Sequence, residues 1–172
     1  MRVKDLLRSL LMIVLAVFVN WQLSRFSLFL FQTINLTSLV VIYYAQRKGE
    51  IFGASLGALG GLLQDSISTG IFGSFGIPKT IVGFVTGYIA RRIDVRSYPV
   101  TFIFYAGALV LEVILWSGLQ IFVLSSPLPG RTIIYQPLLS SLVAVVIVWA
   151  IKRWDTQWKR RLRIFKPKVD NF

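Results

Sequence analysis

Long apolar stretches alternate with short polar segments along this chain. Residues 26–46 and 132–151 contain no charged residue, and residues 100–124 contain one, Glu112. A helix of about 20 apolar residues crosses a hydrocarbon core of about 30 Å. The pattern predicts transmembrane helices at residues 6–24, 28–46, 50–66, 72–90, 100–124 and 132–151. We therefore expect an all-α membrane protein, with a bundle of six transmembrane helices in residues 1–151.

The basic residues fall mostly on one side of these six segments. Sixteen of the 19 Lys and Arg residues lie in the N-terminal head, in the connections at 47–48 and 91–96, and in the tail. The other side carries Arg25, Lys79 and Arg131. Because Lys and Arg accumulate in cytoplasmic loops, we expect a multi-pass protein with an even number of spans and both termini in the cytoplasm.

Residues 152–172 form a basic tail in which aromatic, aliphatic and basic residues alternate with helical spacing. This pattern predicts an amphipathic helix on the cytoplasmic membrane surface. Together with the loop at 91–96, it is expected to contact anionic lipid or cytoplasmic partners. An anchor that only fixes the orientation of the protein is the alternative. The residues predicted to make these contacts are Arg91, Arg92, Arg96, Trp154, Trp158, Arg160 and Arg161.

Ten of the 13 glycines lie between Gly49 and Gly87, a stretch that contains most of the third and fourth predicted spans. Small residues spaced by four form a smooth stripe that lets another helix approach closely. The stripe is predicted to pack helices within the monomer or to bind a partner helix. Its residues are Gly49, Gly53, Gly57, Gly61, Gly83 and Gly87.

The fourth predicted span contains a proline near its middle. Proline favours the first turn of a helix, so a regular helix from about Pro78 to Ala90 is predicted, which is too short to cross a membrane alone. Residues 70–77 would then be irregular backbone at membrane depth, which is tolerated only under a cover of protein or in a water-filled cavity. The sequence therefore predicts a broken or re-entrant element.

Three charged residues are expected within or near the apolar layer: Asp65, Lys79 and Glu112. A charge at the centre of a transmembrane helix should face the interior and be paired or protonated. We predict that Lys79 pairs with Asp65 or with Glu112. Such a pair could be purely structural, could belong to a proton or ligand path, or could contact a partner protein.

Composition excludes several kinds of chemistry. The chain has no cysteine and no histidine, which excludes disulfides, thiolate metal sites and histidine-based triads. A Ser-Lys arrangement using Lys79 is the least favoured interpretation, so we expect no enzyme, cofactor or metal. The net charge of +12 indicates an anionic lipid surface rather than nucleic acid in a chain this apolar.

Residues 53–66, Gly-Ala-Ser-Leu-Gly-Ala-Leu-Gly-Gly-Leu-Leu-Gln-Asp-Ser, resemble the bacterial rod shape-determining protein MreD family. The segments Gly-Ser-Phe-Gly at 73–76 and Gly-Phe-Val-Thr-Gly-Tyr at 83–88 extend the resemblance. It implies a non-enzymatic scaffold of the cell-wall elongation machinery in the bacterial inner membrane. The implied partners are MreC, RodA, a class B penicillin-binding protein and, indirectly, MreB; homo-oligomers are a further option.

The resembled family is similar in fold to the substrate-binding S components of vitamin transporters. The alternative function is therefore an S component whose cavity is lined by Glu112 and by the irregular stretch after Asp65. Ligand retained on purification would favour this alternative over the scaffold.

Overall fold

The computed structural model describes residues 3–27, 34–68, 72–93, 97–122, 135–147 and 149. Regular structure in these residues is entirely helical, consistent with the predicted helical bundle. The six helices are α1 (Val3–Phe26), α2 (Leu36–Lys48), α3 (Glu50–Ile67), α4 (Gly76–Ala90), α5 (Tyr98–Phe122) and α6 (Tyr135–Ile147). The predicted tail at 152–172 lies outside the described residues.

Helix length separates the six helices into two groups. Within the described residues, α1 and α5 have the length and apolar composition needed to cross a membrane, over Asp5–Phe26 and Pro99–Phe122. By contrast, α2 and α4 have 13 and 15 residues. At about 1.5 Å per residue these two helices are shorter than a hydrocarbon core.

The prediction of one continuous helix over residues 28–46 is wrong at residues 34 and 35, which are not helical, and its residues 28–33 lie outside the described part of the chain. Helix α2 begins at Leu36, because the Asn35 side chain accepts a hydrogen bond from the Ser38 backbone N–H and caps the helix. Asparagine is a strong N-cap residue because its side chain satisfies a backbone donor that has no partner within the helix. At the other end, Gly49 has φ 96°, which lets α2 turn directly into α3.

The predicted break before the fourth helix is confirmed. Helix α3 ends at Ile67, residues 72–75 form a turn, and α4 begins at Gly76, two residues before Pro78. Proline in the first turn removes a backbone donor that has no partner within the helix. The turn at 72–75 is therefore a link between two antiparallel helices, which we call the α3–α4 hairpin.

Polar and apolar side chains are distributed inside out in this bundle. Buried polar residues lie at its centre, including Ser9, Asn20, Thr37, Ser38, Lys79 and Glu112. Large apolar side chains point outward, as on α1, where Leu7, Leu11, Val14 and Phe18 follow one another along the exposed face. The remaining core is formed by two apolar clusters around Ile42 and Ile13.

Candidate functional site

A buried ion pair joins α4 to α5 at the centre of the bundle. The Lys79 ammonium group donates to Glu112 Oε1, and the two residues are 1% and 4% exposed. The prediction that Lys79 pairs with one of two carboxylates is confirmed for Glu112. The alternative partner, Asp65, is not bonded to Lys79, because the turn before α4 uses its carboxylate.

The N-cap residue of α2 and one residue of its first turn complete this charge cluster, which we define as Asn35, Ser38, Lys79 and Glu112. Lys79 Nζ also donates to Ser38 Oγ at 2.8 Å, and Ser38 Oγ donates to Glu112 Oε1 at 2.7 Å. Asn35 Nδ2 donates to the same carboxylate oxygen at 3.0 Å. The Asn35 backbone N–H donates to Ser140 Oγ at 3.1 Å, which ties the cluster to α6.

Asn35 and Ser38 were not singled out from the sequence. The signal was present, since an Asn directly before an apolar run can mark a helix N-terminus. It was hidden in an uncharged apolar stretch that is long enough for a full span. The cluster therefore lies where α2 begins, close to the start of α4, rather than at the middle of two complete transmembrane helices.

The Asp65 carboxylate organises the turn between α3 and α4. Its Oδ2 accepts from the Gly73 and Gly76 backbone N–H groups at 3.0 and 3.1 Å. Its Oδ1 accepts from the Phe75 backbone N–H at 3.0 Å and from Ser74 Oγ at 3.1 Å. A buried anion at a helix N-terminus is stabilised by the N–H groups and by the helix dipole. Asp65 is thus the cap of α4.

Asp65→Ala should open this turn. The substitution leaves three backbone donors and one hydroxyl without their acceptor, and a lost cap or a buried unsatisfied donor costs about 1–3 kcal/mol. We expect a loss of about 3 kcal/mol in the free energy of unfolding, measured by thermal unfolding in detergent. Ser66→Ala is the neighbouring control, because Ser66 is exposed and bonds only to the Leu62 carbonyl of its own helix. Equal stability of the two variants would contradict the capping role.

The glycine stripe packs helices within the monomer. A Cβ on Gly53 would overlap the Gly83 carbonyl oxygen, and a Cβ on Gly57 would overlap the Lys79 carbonyl oxygen. A Cβ on Gly61 would lie 2.7 Å from the Gly76 nitrogen. These glycines therefore form the contact surface of the α3–α4 hairpin. Because the stripe is covered within the monomer, it leaves no free face for the alternative that was predicted, a partner helix.

Two of the predicted membrane-surface contact residues, Arg91 and Arg92, lie at the end of α4. Arg91 pairs with Glu50 at 2.9 Å. Arg92 lies over the Tyr88 ring at 4.7 Å and donates to its hydroxyl. Both arginines are exposed, so they can contact anionic lipid or a cytoplasmic partner. The other predicted contact residues lie outside the described part of the chain: Arg96, Trp154, Trp158, Arg160 and Arg161.

Two polar atoms beside the ion pair have no hydrogen-bond partner among the described residues. They are Glu112 Oε2 and, one turn along α5, Trp116 Nε1. The Trp116 ring stacks on Phe75 of the turn, with centroids 6.1 Å apart. One acceptor and one donor are therefore buried next to the irregular stretch. Within the described residues no group of acidic side chains could hold a metal ion.

Comparison with known proteins gives no relative for this chain. No protein-family model matches it, and no curated protein or solved structure matches it either. The function is therefore argued from the residues and their geometry.

Proposed function

We propose that this chain is an integral membrane protein of the bacterial inner membrane. The support is the inside-out distribution of side chains. Leu7, Ile103 and Phe122 expose 66%, 69% and 86% of their surface, whereas Lys79 and Glu112 are buried. In water, large contiguous exposed apolar surface is rare in a monomer. In lipid, intramembrane ionisable residues face the bundle interior and pair with one another.

Within that membrane, we propose a non-enzymatic scaffold of the cell-wall elongation machinery. The observation that carries this proposal is the α3–α4 hairpin, since the stretch that resembles the MreD family supplies its close-packed glycines and its Asp65 cap. A rigid, short-looped hairpin suits a protein that holds the transmembrane helices of its partners in place. The bundle would couple a cytoplasmic filament to synthesis outside the membrane through MreC, RodA and a class B penicillin-binding protein.

Because the glycine stripe is covered, MreC would have to bind to another face of the bundle. A partner helix needs an exposed apolar face, and α1 and α5 both present one. On α5 the exposed residues include Ile103, Val110 and Ile114, and Gly107 on the same helix has open space in front of it. We propose that the transmembrane helix of MreC packs against one of these two helices.

Single-cysteine crosslinking tests this placement, because the chain has no cysteine of its own. Val14→Cys on α1 and Ile114→Cys on α5 place a thiol on each exposed face. We expect one of the two to form a disulfide with a cysteine series in the MreC transmembrane helix. Ala45→Cys, fully buried in α2, is the control that should not react. Crosslinks of equal yield from all three positions would contradict a defined docking face.

Affinity purification from native membranes tests the function as a whole. After mild crosslinking, the tagged protein should bring MreC and wall-synthesis enzymes, identified by mass spectrometry. Recovery of an ATPase pair with a coupling subunit would instead identify a transporter component. The observation that favours this second function is that two buried polar atoms of α5, Glu112 Oε2 and Trp116 Nε1, have no hydrogen-bond partner among the described residues and could bind a small polar ligand. In that case Glu112→Gln should lower the amount of ligand retained.

A further inference from the structure

An apolar cleft is lined by residues of α1, α2, α5 and α6. Its volume is about 160 Å³, and its lining includes Met12, Val40, Tyr43, Tyr105 and Ala144. An apolar cavity of about 150 Å³ binds benzene, so this cleft has room for roughly six hydrocarbon carbons. A helix is about 10 Å across with its side chains and is far too thick to enter. The cleft therefore suits a flexible hydrocarbon chain.

The wall of the cleft is apolar. Tyr105 lines the cleft, but this residue is 1% exposed and its hydroxyl is buried, without a hydrogen-bond partner among the described residues. A ligand in the cleft would therefore meet apolar surface, which favours a hydrocarbon chain over a polar group.

Two arginines flank the cytoplasmic end of the cleft. Arg47 lies one helical turn beyond the lining residue Tyr43, with its guanidinium 4.5 Å from the Tyr43 ring centroid. Arg8 lies one turn before the lining residue Met12, on the facing helix. Residues four apart share a helix face. Both arginines are exposed, and both act electrostatically on Tyr44, which also lines the cleft.

No acidic side chain of the described residues pairs with these two arginines, so both can bind an anionic ligand. Asp5, the nearby acid, pairs with Lys48 at 3.2 Å, and neither Arg8 nor Arg47 forms an ion pair within the described residues. Guanidinium groups bind phosphate in a bidentate manner. Two basic residues therefore lie one helical turn beyond the lining of an apolar cleft, at the level where phospholipid headgroups lie if the ends of α2 and α4 face the cytoplasm.

We propose that this cleft binds one anionic phospholipid of the inner leaflet. One acyl chain would occupy the cleft, and the phosphate would lie between Arg8 and Arg47. The site rests on the proposed membrane location but not on any partner protein. It would make a specific lipid part of the packing around this cleft, beyond the general attraction of a basic surface for anionic membranes.

Native mass spectrometry of the full chain in mild detergent tests this site. Delipidated protein is titrated with dioleoyl phosphatidylglycerol or with dioleoyl phosphatidylcholine, which has the same chains but no net charge. We expect one phosphatidylglycerol to be retained in preference to phosphatidylcholine. Because each arginine near an anionic headgroup contributes on the order of 1 kcal/mol, Arg47→Gln and Arg8→Gln should each reduce retention about fivefold.

Arg92→Gln is the matched control. Arg92 stacks on Tyr88 much as Arg47 stacks on Tyr43, but Tyr88 does not line the cleft. An equal loss from Arg92→Gln, equal retention of the two lipids, or no retained lipid would overturn the proposal. Thermal unfolding in the same detergent verifies that each variant is folded. If Arg47→Gln does not fold, lipid retention by Arg8→Gln tests the proposal. Failure of MreC to co-purify would leave this result unchanged, so the two proposals fail separately.

Discussion

Gly57→Ala should strongly destabilise the protein, although it adds a single methyl group. The new Cβ would overlap the Lys79 carbonyl oxygen and would lie 2.6 Å from the Lys79 carbonyl carbon. Neither atom can move without moving the backbone of α4. Overpacking of a well-packed core costs about 1–3 kcal/mol where side chains can adjust. Here two helix backbones must separate, so we expect a loss of about 3 kcal/mol or more in the free energy of unfolding.

Gly107→Ala is the matched control for this prediction. Gly107 is also a helical glycine, but a Cβ at this position would meet nothing within 4 Å. Alanine is favoured over glycine in a helix by about 1 kcal/mol, so this variant should be as stable as the parent or more so. Thermal unfolding in detergent, followed by circular dichroism, measures both. Similar melting temperatures for the two variants would show that α3 and α4 are not in close contact.

The same geometry limits what glycine substitutions can report about partners. A large residue at Gly57 or Gly61 would separate the hairpin before it disturbed any partner. Loss of MreC from such a variant would therefore reflect a damaged fold. Substitutions on the exposed faces of α1 and α5 avoid this, because their side chains are not part of the core.

The glycine spacing shows how far the sequence could predict the fold. A repeat of four places Gly53, Gly57 and Gly61 on one helix face, and close packing against that face was predicted. What packs there was left open, because periodicity defines a face but not the neighbour it meets. The neighbour is determined by the turn at 72–75, which folds α4 back along α3.

The ion pair was predictable in kind but not in detail. A lysine and two acids in an apolar chain must be buried with partners, and the sequence offered Asp65 and Glu112 equally. The choice depends on the four donors of the turn, which occupy the Asp65 carboxylate. Three of those donors are backbone N–H groups, whose directions follow from the fold and cannot be read from residue types.

Lys79→Met should be among the most damaging single substitutions in the chain. It removes the cation from a buried pair and leaves the Glu112 carboxylate uncompensated at 4% exposure. Breaking a buried pair in this way costs about 3–5 kcal/mol. The exposed pair Lys48–Asp5, with side chains 31% and 47% exposed, is the matched control. Lys48→Met should cost less than about 1 kcal/mol.

The double variant Lys79→Met with Glu112→Gln should recover most of that loss. The amide at position 112 keeps an oxygen to accept from Asn35 Nδ2 and Ser38 Oγ, while no buried charge remains. The two substitutions should then be strongly non-additive, as contacting residues are. Losses in unfolding free energy that simply add would contradict the pairing.

This double variant also separates the possible roles of the pair. If the pair is structural, recovered stability should bring back the complex with MreC. If Glu112 serves a proton or ligand path, stability should recover while the function of the protein stays lost. The reason is that a Gln side chain does not take up or release a proton as a carboxylate does. Measuring the melting temperature and the co-purified MreC on the same preparations distinguishes the two roles, since only the structural role requires them to rise together.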